Sequence, residues 1–244
     1  MSLGIWAAAS GAVAEIADLE VTANNLANAG TVGFRGERSA FRQTLASVQR
    51  AGGAAGYRRY ATLRTTTADL APGGVVSTGR GLDVAFDGRG LFVVRTPAGD
   101  RYTRSGALRV SPTGELTTPE GHPYLGTNRR AISIPRDAAS VEVAADGRVM
   151  ADGQEVAQLL TVEEPPPGGL VKEGGALLAL APNQAPLRAQ AALLTTGALE
   201  GSNVSVVRGM TDIITASRSL DALQRVIEAF REAEQRAASG IMGT

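Results

Sequence analysis

A chain of 244 residues, of which 43% are hydrophobic, is long enough to bury a core as one large domain or as two smaller ones. Its 24 basic and 24 acidic residues balance, which argues against a general nucleic-acid binder, because such a protein needs a basic excess to neutralise phosphates. The lack of cysteine excludes disulfides and thiolate chemistry, and the single histidine, His122, excludes a metal site with several histidine ligands.

The N-terminal segment, residues 1–34, is predicted to be a helix rather than a signal peptide or a membrane span. Residues 3–14 are apolar, but no basic residue precedes Arg35, and the uncharged stretch of 14 residues is too short to cross a bilayer. Apolar residues recur at alternating steps of four and three, as in a coiled coil: Ile5, Ala9, Ala12, Ile16, Leu19, Ala23 and Leu26. The helix is expected to end around residues 28–30, because Asn and Gly accept the left-handed conformation there.

Residues 35–74 are predicted to form an extended, arginine-rich arm or an irregular β segment. The stretch AGGAAG at 51–56 predicts a flexible middle. No aromatic ladder accompanies the arginines, so protein carboxylates are favoured over nucleic acid as their partners. Whether Arg35, Arg38 and Arg42 pair with acidic residues of a neighbouring copy stays open.

Residues 75–196 are predicted to form a central all-β domain. Short alternating or β-rich runs are separated by turn sequences such as Asp87-Gly88 and Asp146-Gly147. Strands at intervals of roughly 8–12 residues indicate an antiparallel sandwich or an open barrel.

Residues 197–244 are predicted to contain a second long helix, with Ser202 or Asn203 as its N-cap. Its apolar seam follows steps of three and four: Val206, Met210, Ile213, Ser217, Leu220, Leu223, Ile227 and Phe230. The predicted class is therefore α+β, with a coiled-coil-like pair of N- and C-terminal helices plus a central all-β domain. The two seams either pack within one chain or are buried between copies. The alanine-rich first seam offers little apolar area by itself, which favours burial between copies.

No stretch of the sequence predicts a catalytic, cofactor or metal site. The glycine-rich segments 79–81 and 88–90 precede strands, whereas a phosphate-binding loop must open a helix. Asp83 and Asp87 are not spaced as a pair of glycosidase carboxylates, and His122 is interpreted as a structural or surface residue. The chain is therefore not expected to be an enzyme.

Four blocks in sequence order resemble one family. They are ANNLANAGTVGFR (23–35), the stretch from GRGLDVAFDGRGLFVV to GHPYLG (79–126), LVKEGG (170–175) and GALEGSNVSVVRGMTDIITASRSLDAL (197–223). These blocks are similar to the signatures of the bacterial flagellar axial proteins that build the rod and hook. The resemblance implies a helical zone made by both termini, with a β-rich domain outside it. Within the family, the chain is most similar to the proximal rod branch, and the distal rod branch is the alternative.

The resemblance implies a structural subunit that polymerises through its terminal helices into the drive shaft for motility. Its implied partners are copies of itself, other rod proteins and the flagellar type III export apparatus, without nucleic acid, membrane insertion or a cofactor. Export without a cleaved signal and a periplasmic position in the basal body follow from the same resemblance. The implied subunit-packing residues are Ile5, Ile16, Leu19, Asn24, Asn25, Leu26, Asn28, Gly33, Phe34, Asn203, Met210, Ile213, Leu220, Leu223 and Ile227.

Two other classes of protein remain as alternatives. A monomeric β-domain enzyme or ligand-binding protein would need a polar cluster in a cleft of residues 75–195. An autonomous helical-bundle protein, such as a secretion chaperone, would bury both helices within its own core.

Overall fold

The computed structural model describes residues 3–49, 55–182, 184–191 and 193–242, with side chains described for 4–39 and, within those ranges, for 66–236. Helix α1 (Leu3–Ala27) and helix α2 (Val206–Met242) are the first and last elements of the chain, and the elements between them are all strands, so the predicted α+β class is confirmed. Chain contacts divide the protein into two units. The terminal unit comprises Met1–Leu26, Arg38–Thr66 and Ser205–Thr244, and the central unit comprises Ala27–Glu37 and Thr67–Val204.

In the terminal unit, α1 and α2 contact each other in antiparallel fashion. Gly4 lies against the ring of Phe230, and Gly11, one heptad later in α1, lies against Leu223, one heptad earlier in α2. At the other end, a Cβ on Gly209 would lie 3.6 Å from Leu26 Cδ1. The small residues on one helix thus face large residues on the other, which allows a close approach.

The contacting faces are offset from parts of the predicted seams. In α1, Ala8 is buried beside Gly4 and Gly11, whereas Ile16 of the predicted seam is exposed. In α2, Ala216 is buried, while Ser217 of the predicted seam is exposed. Alanine and serine occur on both sides of the contacting face, so the sequence pattern alone does not decide which of two adjacent residues points to the other helix.

The N-cap prediction for α2 is wrong. The backbone nitrogen of Arg208 donates to Ser205 Oγ at 3.4 Å, so Ser205 caps the helix that begins at Val206. The hydroxyl of Ser202 instead accepts a hydrogen bond from the Val204 nitrogen. The predicted end of the first helix agrees with its observed end at Ala27.

The predicted arm consists of two long paired strands, β1 (Glu37–Gln49) and β2 (Ala55–Ala68). Most of both strands belongs to the terminal unit. Residues 50–54 lie outside the described residues, and with them falls most of the predicted flexible middle at 51–56.

The central unit is an assembly of short antiparallel strands. They are β3 (Val75–Ser77), β4 (Val84–Phe86), β5 (Leu91–Thr96), β6 (Gly99–Thr103), β7 (Arg109–Val110), β8 (Leu116–Thr117), β9 (Val141–Val143), β10 (Arg148–Ala151), β11 (Gln154–Gln158), β12 (Thr161–Val162), β13 (Leu170–Gly174), β14 (Leu177–Leu180), β15 (Leu194–Thr196) and β16 (Ala198–Glu200). The largest sheet has the order β12-β5-β6-β14-β13, and a second has the order β11-β10-β9. The pairs β4/β15, β3/β16 and β7/β8 complete the topology, and no closed barrel forms among the described strands.

Strand β5 lies at the centre of this unit because both of its faces are buried. Phe92 and Val94 point into one apolar cluster with Tyr124, and Leu91 and Val93 point into a second cluster. An uninterrupted apolar run is the pattern expected of a strand covered on both sides.

The two glycines of α1 that face α2 give a matched test of the helix pair. Gly4→Ala places a methyl group within the Phe230 ring, whereas at Gly11 the nearest atoms of Leu223 lie at 3.6 Å, an ordinary contact. We expect Gly4→Ala to lower the melting temperature of the helices. Gly11→Ala should raise it or leave it unchanged, because alanine favours a helix by about 1 kcal/mol over glycine. Helical circular dichroism during heating measures both, and equal effects would contradict the contact.

Candidate functional site

A buried cluster of charged side chains lies within the central unit and is called here the junction cluster: Arg35, Arg104, Glu164 and Glu200. Arg35 and Glu200 are only 2% and 1% exposed. Arg35 Nη2 donates to Glu200 Oε1, and Arg104 Nε donates to Glu200 Oε2 at 2.6 Å. Arg104 Nη1 also lies 3.2 Å from Glu164 Oε1. Two buried guanidinium groups therefore share one fully buried carboxylate.

Backbone groups satisfy the remaining hydrogen-bonding capacity of Glu200 and Arg104. Glu200 Oε1 accepts from the Gly73 nitrogen at 2.9 Å, and its carbonyl oxygen accepts from the Gly33 nitrogen at 2.8 Å. Arg104 Nη1 donates to the Gly90 carbonyl at 2.6 Å. Buried ion pairs are stable only when such partners replace lost water, and here they do.

The environment of Arg35 is set by burial and by its charged neighbours. Burial lowers the pKa of Arg35, the Glu200 carboxylate opposes that shift, and the Arg104 guanidinium adds to it. Arg35 Nη1 also donates to the Gly201 carbonyl at 3.3 Å. The arginine thus binds both the side chain and the backbone of the segment that leads towards α2.

Asn203 connects three further backbone segments through its side-chain amide. Its Oδ1 accepts from the Gly36 nitrogen at 2.8 Å, and its Nδ2 donates to the carbonyls of Asp69 and Ala71 at 2.8 and 3.1 Å. The Asp69 nitrogen donates to the Gly36 carbonyl at 2.7 Å. One amide therefore joins the chain entering β1, the chain leaving β2 and the chain approaching α2.

Gly33 and Phe34 anchor the segment after α1. Gly33 has a φ of 69°, and the backbone of Arg104 and Ser105 occupies the space that a Cβ would need. Phe34 is fully buried, with Lys172 Nζ 2.9 Å from its ring centroid.

Lys172 is the only lysine in the sequence, and its amine is buried. Among the described residues, Nζ has no hydrogen-bond partner. Burial lowers the pKa of Lys172 to about 8, although Glu37 opposes the shift. The Phe34 ring is thus the principal contact of this cation.

The predicted packing residues of the helices fall into two groups. One group is buried or half-buried, and its members Leu26 and Leu223 contact glycines of the other helix; the group comprises Ile5, Leu19, Leu26, Ile213, Leu220, Leu223 and Ile227. Ile16 and Met210 are instead exposed. Asn24 is also exposed, whereas Asn25 is half-buried.

Asn28 lies just beyond the end of α1 and is half-buried. The Thr31 hydroxyl donates to Asn28 Oδ1 at 3.3 Å, and the Thr31 nitrogen donates to the Asn28 carbonyl at 3.0 Å. This places Asn28 in the turn that leads from the helix to Gly33.

Both helices carry exposed apolar residues. The α1 stripe comprises Trp6, Val13 and Ile16, and the α2 stripe comprises Val207, Met210 and Ile214. Their side chains are between 42% and 77% exposed. Steps of three, four and seven residues place each set on one side of its helix. Contiguous exposed apolar patches are typical of interaction surfaces, which makes these two sides of the helices the candidates for contact with other chains.

Sequence reasoning missed the junction cluster and Lys172. Arg35, Arg104, Glu200 and Lys172 each lie inside one of the sequence blocks described above, in GFR, RSG, LEG and VKE. Their position in those blocks was the one sequence feature that could have indicated a role for them. No local sequence pattern, however, indicates that Arg35 pairs with Glu200. The structure also uses Arg35 internally, so the idea that it binds an acidic residue of a neighbouring copy is wrong.

The part of the chain that the structure describes contains no group of three or more His, Cys, Asp or Glu residues arranged to hold a metal ion. No described helix is long and apolar enough to cross a membrane. Asp83 accepts a hydrogen bond from the Thr78 hydroxyl at 2.7 Å, and its other oxygen lies 3.4 Å from Arg80 Nη1. This is the aspartate whose spacing was compared above with that of glycosidase carboxylates.

Three stretches match family models of flagellar proteins. Residues 5–35 match the model described as "Flagella basal body rod protein", and residues 195–240 match "Flagellar basal body rod FlgEFG protein C-terminal". Residues 85–151 match "Flagellar hook protein FlgE/F/G D1 domain". The match at residues 5–35 covers most of α1, and the match at residues 195–240 covers most of α2. The match at residues 85–151 lies in the central unit.

Similar proteins match over nearly the whole chain. The flagellar basal-body rod protein FlgF of Salmonella typhimurium is 35% identical over 265 residues, covering 97% of each chain. The FlgF protein of Escherichia coli is also 35% identical, covering 93% of each chain. The flagellar basal-body rod protein FlgG of Bacillus subtilis is 34% identical, covering 86% of this chain and 88% of its own.

The shared carboxylate of the junction cluster is tested by Glu200→Gln. Removing its charge leaves Arg35 and Arg104 buried beside each other with a weaker counter-charge, so we expect a loss of about 3–5 kcal/mol in the free energy of unfolding. Glu173→Gln is the matched control, because Glu173 is 42% exposed and pairs with Arg101 at the surface. That change should be worth at most about 1 kcal/mol. Urea unfolding measures both, and similar losses would contradict a dominant role of Glu200.

The buried amine of Lys172 predicts a pH dependence of stability. Between a folded-state pKa of about 8 and the ordinary value of 10.5, the unfolded chain binds more protons than the folded chain. The free energy of unfolding should therefore rise with pH across this window. Lys172→Met should remove that rise, and Lys172→Arg, which keeps a cation but does not titrate, should remove it as well. Urea unfolding at pH 7, 8, 9 and 9.5 measures the slope, and parallel curves for all three proteins would overturn the assignment.

Proposed function

The chain belongs to the flagellar basal-body rod protein family, and from this premise we propose that it polymerises through the outer faces of its two terminal helices. It is of the FlgF type and is a structural subunit of the rod, not an enzyme. The observation that carries the proposal is the exposure of the α1 and α2 stripes. Apolar side chains left in water on one side of each helix gain roughly 1 kcal/mol or more apiece when a neighbour covers them.

The helix pair divides its packing between the inside of the subunit and its neighbours. Inner-face residues such as Leu223 and Leu26 join the helices within one chain, in an arrangement that we propose to be coiled-coil-like. Outer-face residues such as Ile16 and Met210 contact the next subunit. Asn24 and Asn25 lie near the end of α1, where their amides hydrogen-bond to neighbouring copies or cap the helix.

The proposed partners are copies of this chain and other rod proteins, with neither nucleic acid nor membrane insertion. A surface that binds a different surface on the next copy produces an open helical polymer, which is the form a rod requires. The balanced charge of the chain supports protein partners over nucleic acid. Within the rod we place the subunit at the proximal end, and the similarity to FlgG proteins makes the distal rod the alternative.

Export is proposed to run through the flagellar type III apparatus without a cleaved signal, ahead of assembly in the periplasm. The apolar start of the chain belongs to α1, where Ile5 and Ala8 are buried, so its hydrophobicity has a role in the folded subunit. The division into 1–34, 35–74, 75–196 and 197–244 stays a prediction of functional segments. In it, the first and last segments form the helical core of the rod and the third is displayed outside it.

The α2 stripe is tested with neighbouring substitutions. Ile214→Glu places a charge on the stripe, whereas Thr215→Glu places the same charge on the next exposed residue, off the stripe. Each variant replaces the natural copy in cells, and swimming in soft agar and the amount of the chain in purified basal bodies are measured. We expect Ile214→Glu to reduce both at least tenfold and Thr215→Glu to leave both within about twofold.

Purified monomers provide the folding control for this pair. Because both side chains are exposed, the two variants should melt within a few degrees of the natural protein. Normal incorporation of a folded Ile214→Glu protein would contradict assembly through this face.

A further inference from the structure

The exposed side chains of α1 and α2 indicate which helix faces are in contact between two copies of the chain. Resting on the proposed function, we infer that the outer face of α1 in one copy docks on the outer face of α2 in a second copy, with the helices parallel. In this arrangement Ile16 packs against Ile214, and Glu20 lies opposite Arg218.

The two outer faces have matching patterns. On α1, the apolar residues Val13 and Ile16 are followed one turn later by Glu20, and all three are exposed. On α2, the apolar residues Met210 and Ile214 are followed one turn later by Arg218, and these three are exposed as well. Each face is thus an apolar patch with one charge at its C-terminal end, and the two charges have opposite signs.

The signs of these charges favour contact between unlike faces. If α1 docked on α1 of another copy in this parallel register, Glu20 would face Glu20, and α2 on α2 would bring Arg218 against Arg218. Like charges opposed in this way are unfavourable, whereas α1 on α2 pairs a carboxylate with a guanidinium. Contact between unlike faces leaves a free α1 at one end and a free α2 at the other, so the assembly grows.

The charges also select the direction and register. An antiparallel arrangement that overlaps the apolar patches puts Glu20 and Arg218 at opposite ends of the contact. In the parallel direction, setting Val13 against Ile214 brings Glu20 against Asp221, which is exposed and of the same sign. Setting Ile16 against Ile214 brings Glu20 against Arg218.

The acidic character of α1 extends the same complementarity. Its only charged residues are Glu15, Asp18 and Glu20. Asp18 accepts a hydrogen bond from the Ser39 hydroxyl within the subunit, and Glu15 is half-buried. Glu20 is therefore the exposed charge that α1 presents to a neighbour.

Charge reversal in the full-length chain tests the pairing. Glu20→Arg and Arg218→Glu are each expected to lower the amount of the chain in purified basal bodies at least threefold, and the double variant should return it to within about twofold of the natural level. Combining Glu20→Arg with Arg225→Glu is the matched control, because Arg225 is exposed on α2 about two turns further along. This control should not restore incorporation. A double variant no better than the singles, or equal rescue through Arg225, would overturn the register.

Cysteine cross-linking tests the same contact without relying on charge. The natural sequence contains no cysteine, so Ile16→Cys and Ile214→Cys introduce the only thiols. Oxidation of basal bodies carrying both changes should give a ladder at multiples of 25.1 kDa, because each copy offers one thiol to each neighbour. Dimers from Ile16→Cys alone would instead show contact between like faces and overturn the inference.

The two proposals fail in different ways. If Ile214→Glu abolishes incorporation but no cross-linked ladder forms and charge reversal is not rescued, assembly through the α2 stripe stands and the docking mode is wrong. If Ile214→Glu has no effect, the assembly face itself is wrong.

Discussion

The buried carboxylate of Glu200 is the interaction on which the central unit depends. It neutralises Arg35 and Arg104, two guanidinium groups that water cannot reach, and its own backbone is held by Gly33. Without this counter-charge, the folded state would bury like charges next to each other. The surrounding hydrogen bonds are organised around the same point, since Glu200 also binds the backbone of Gly73. A single acidic residue thus fixes three stretches that are far apart in sequence.

The junction cluster binds the segments through which the chain enters and leaves the central unit. The chain passes between the units four times, and the segments on the central side of those passages are Ala27–Glu37, the residues after Thr67 and the residues before Val204. Glu200 and Asn203 lie in the third segment and hydrogen-bond to the other two. Every segment that enters or leaves the central unit is therefore part of this hydrogen-bond network. The segments that lead to the helices therefore begin at a buried ionic network within the central unit.

The sequence predicted the elements better than it predicted the connections between them. The end of α1 and the half of the α2 seam from Leu220 to Phe230 follow from local patterns of apolar residues and from Asn and Gly at a helix terminus. The N-cap was misplaced because Ser202, Asn203 and Ser205 are all suitable residue types, and tertiary hydrogen bonds to Gly36 and Asp69 decide that Asn203 serves elsewhere. The pairing of Arg35 with Glu200 spans 165 residues, and no local rule contains such a pairing. Residues that join distant segments are visible only once the segments are brought together.

The burial of Lys172 gives this chain an internal chemical reporter. Apart from the α-amino group, its Nζ is the only primary amine in the sequence, and it is enclosed against Phe34. Reagents that acylate amines therefore find no side-chain target while the central unit is closed, and they gain one when the segment after α1 lifts away. The extent of acylation at this one position consequently counts the molecules whose central unit has opened, in the free subunit and in the finished assembly alike.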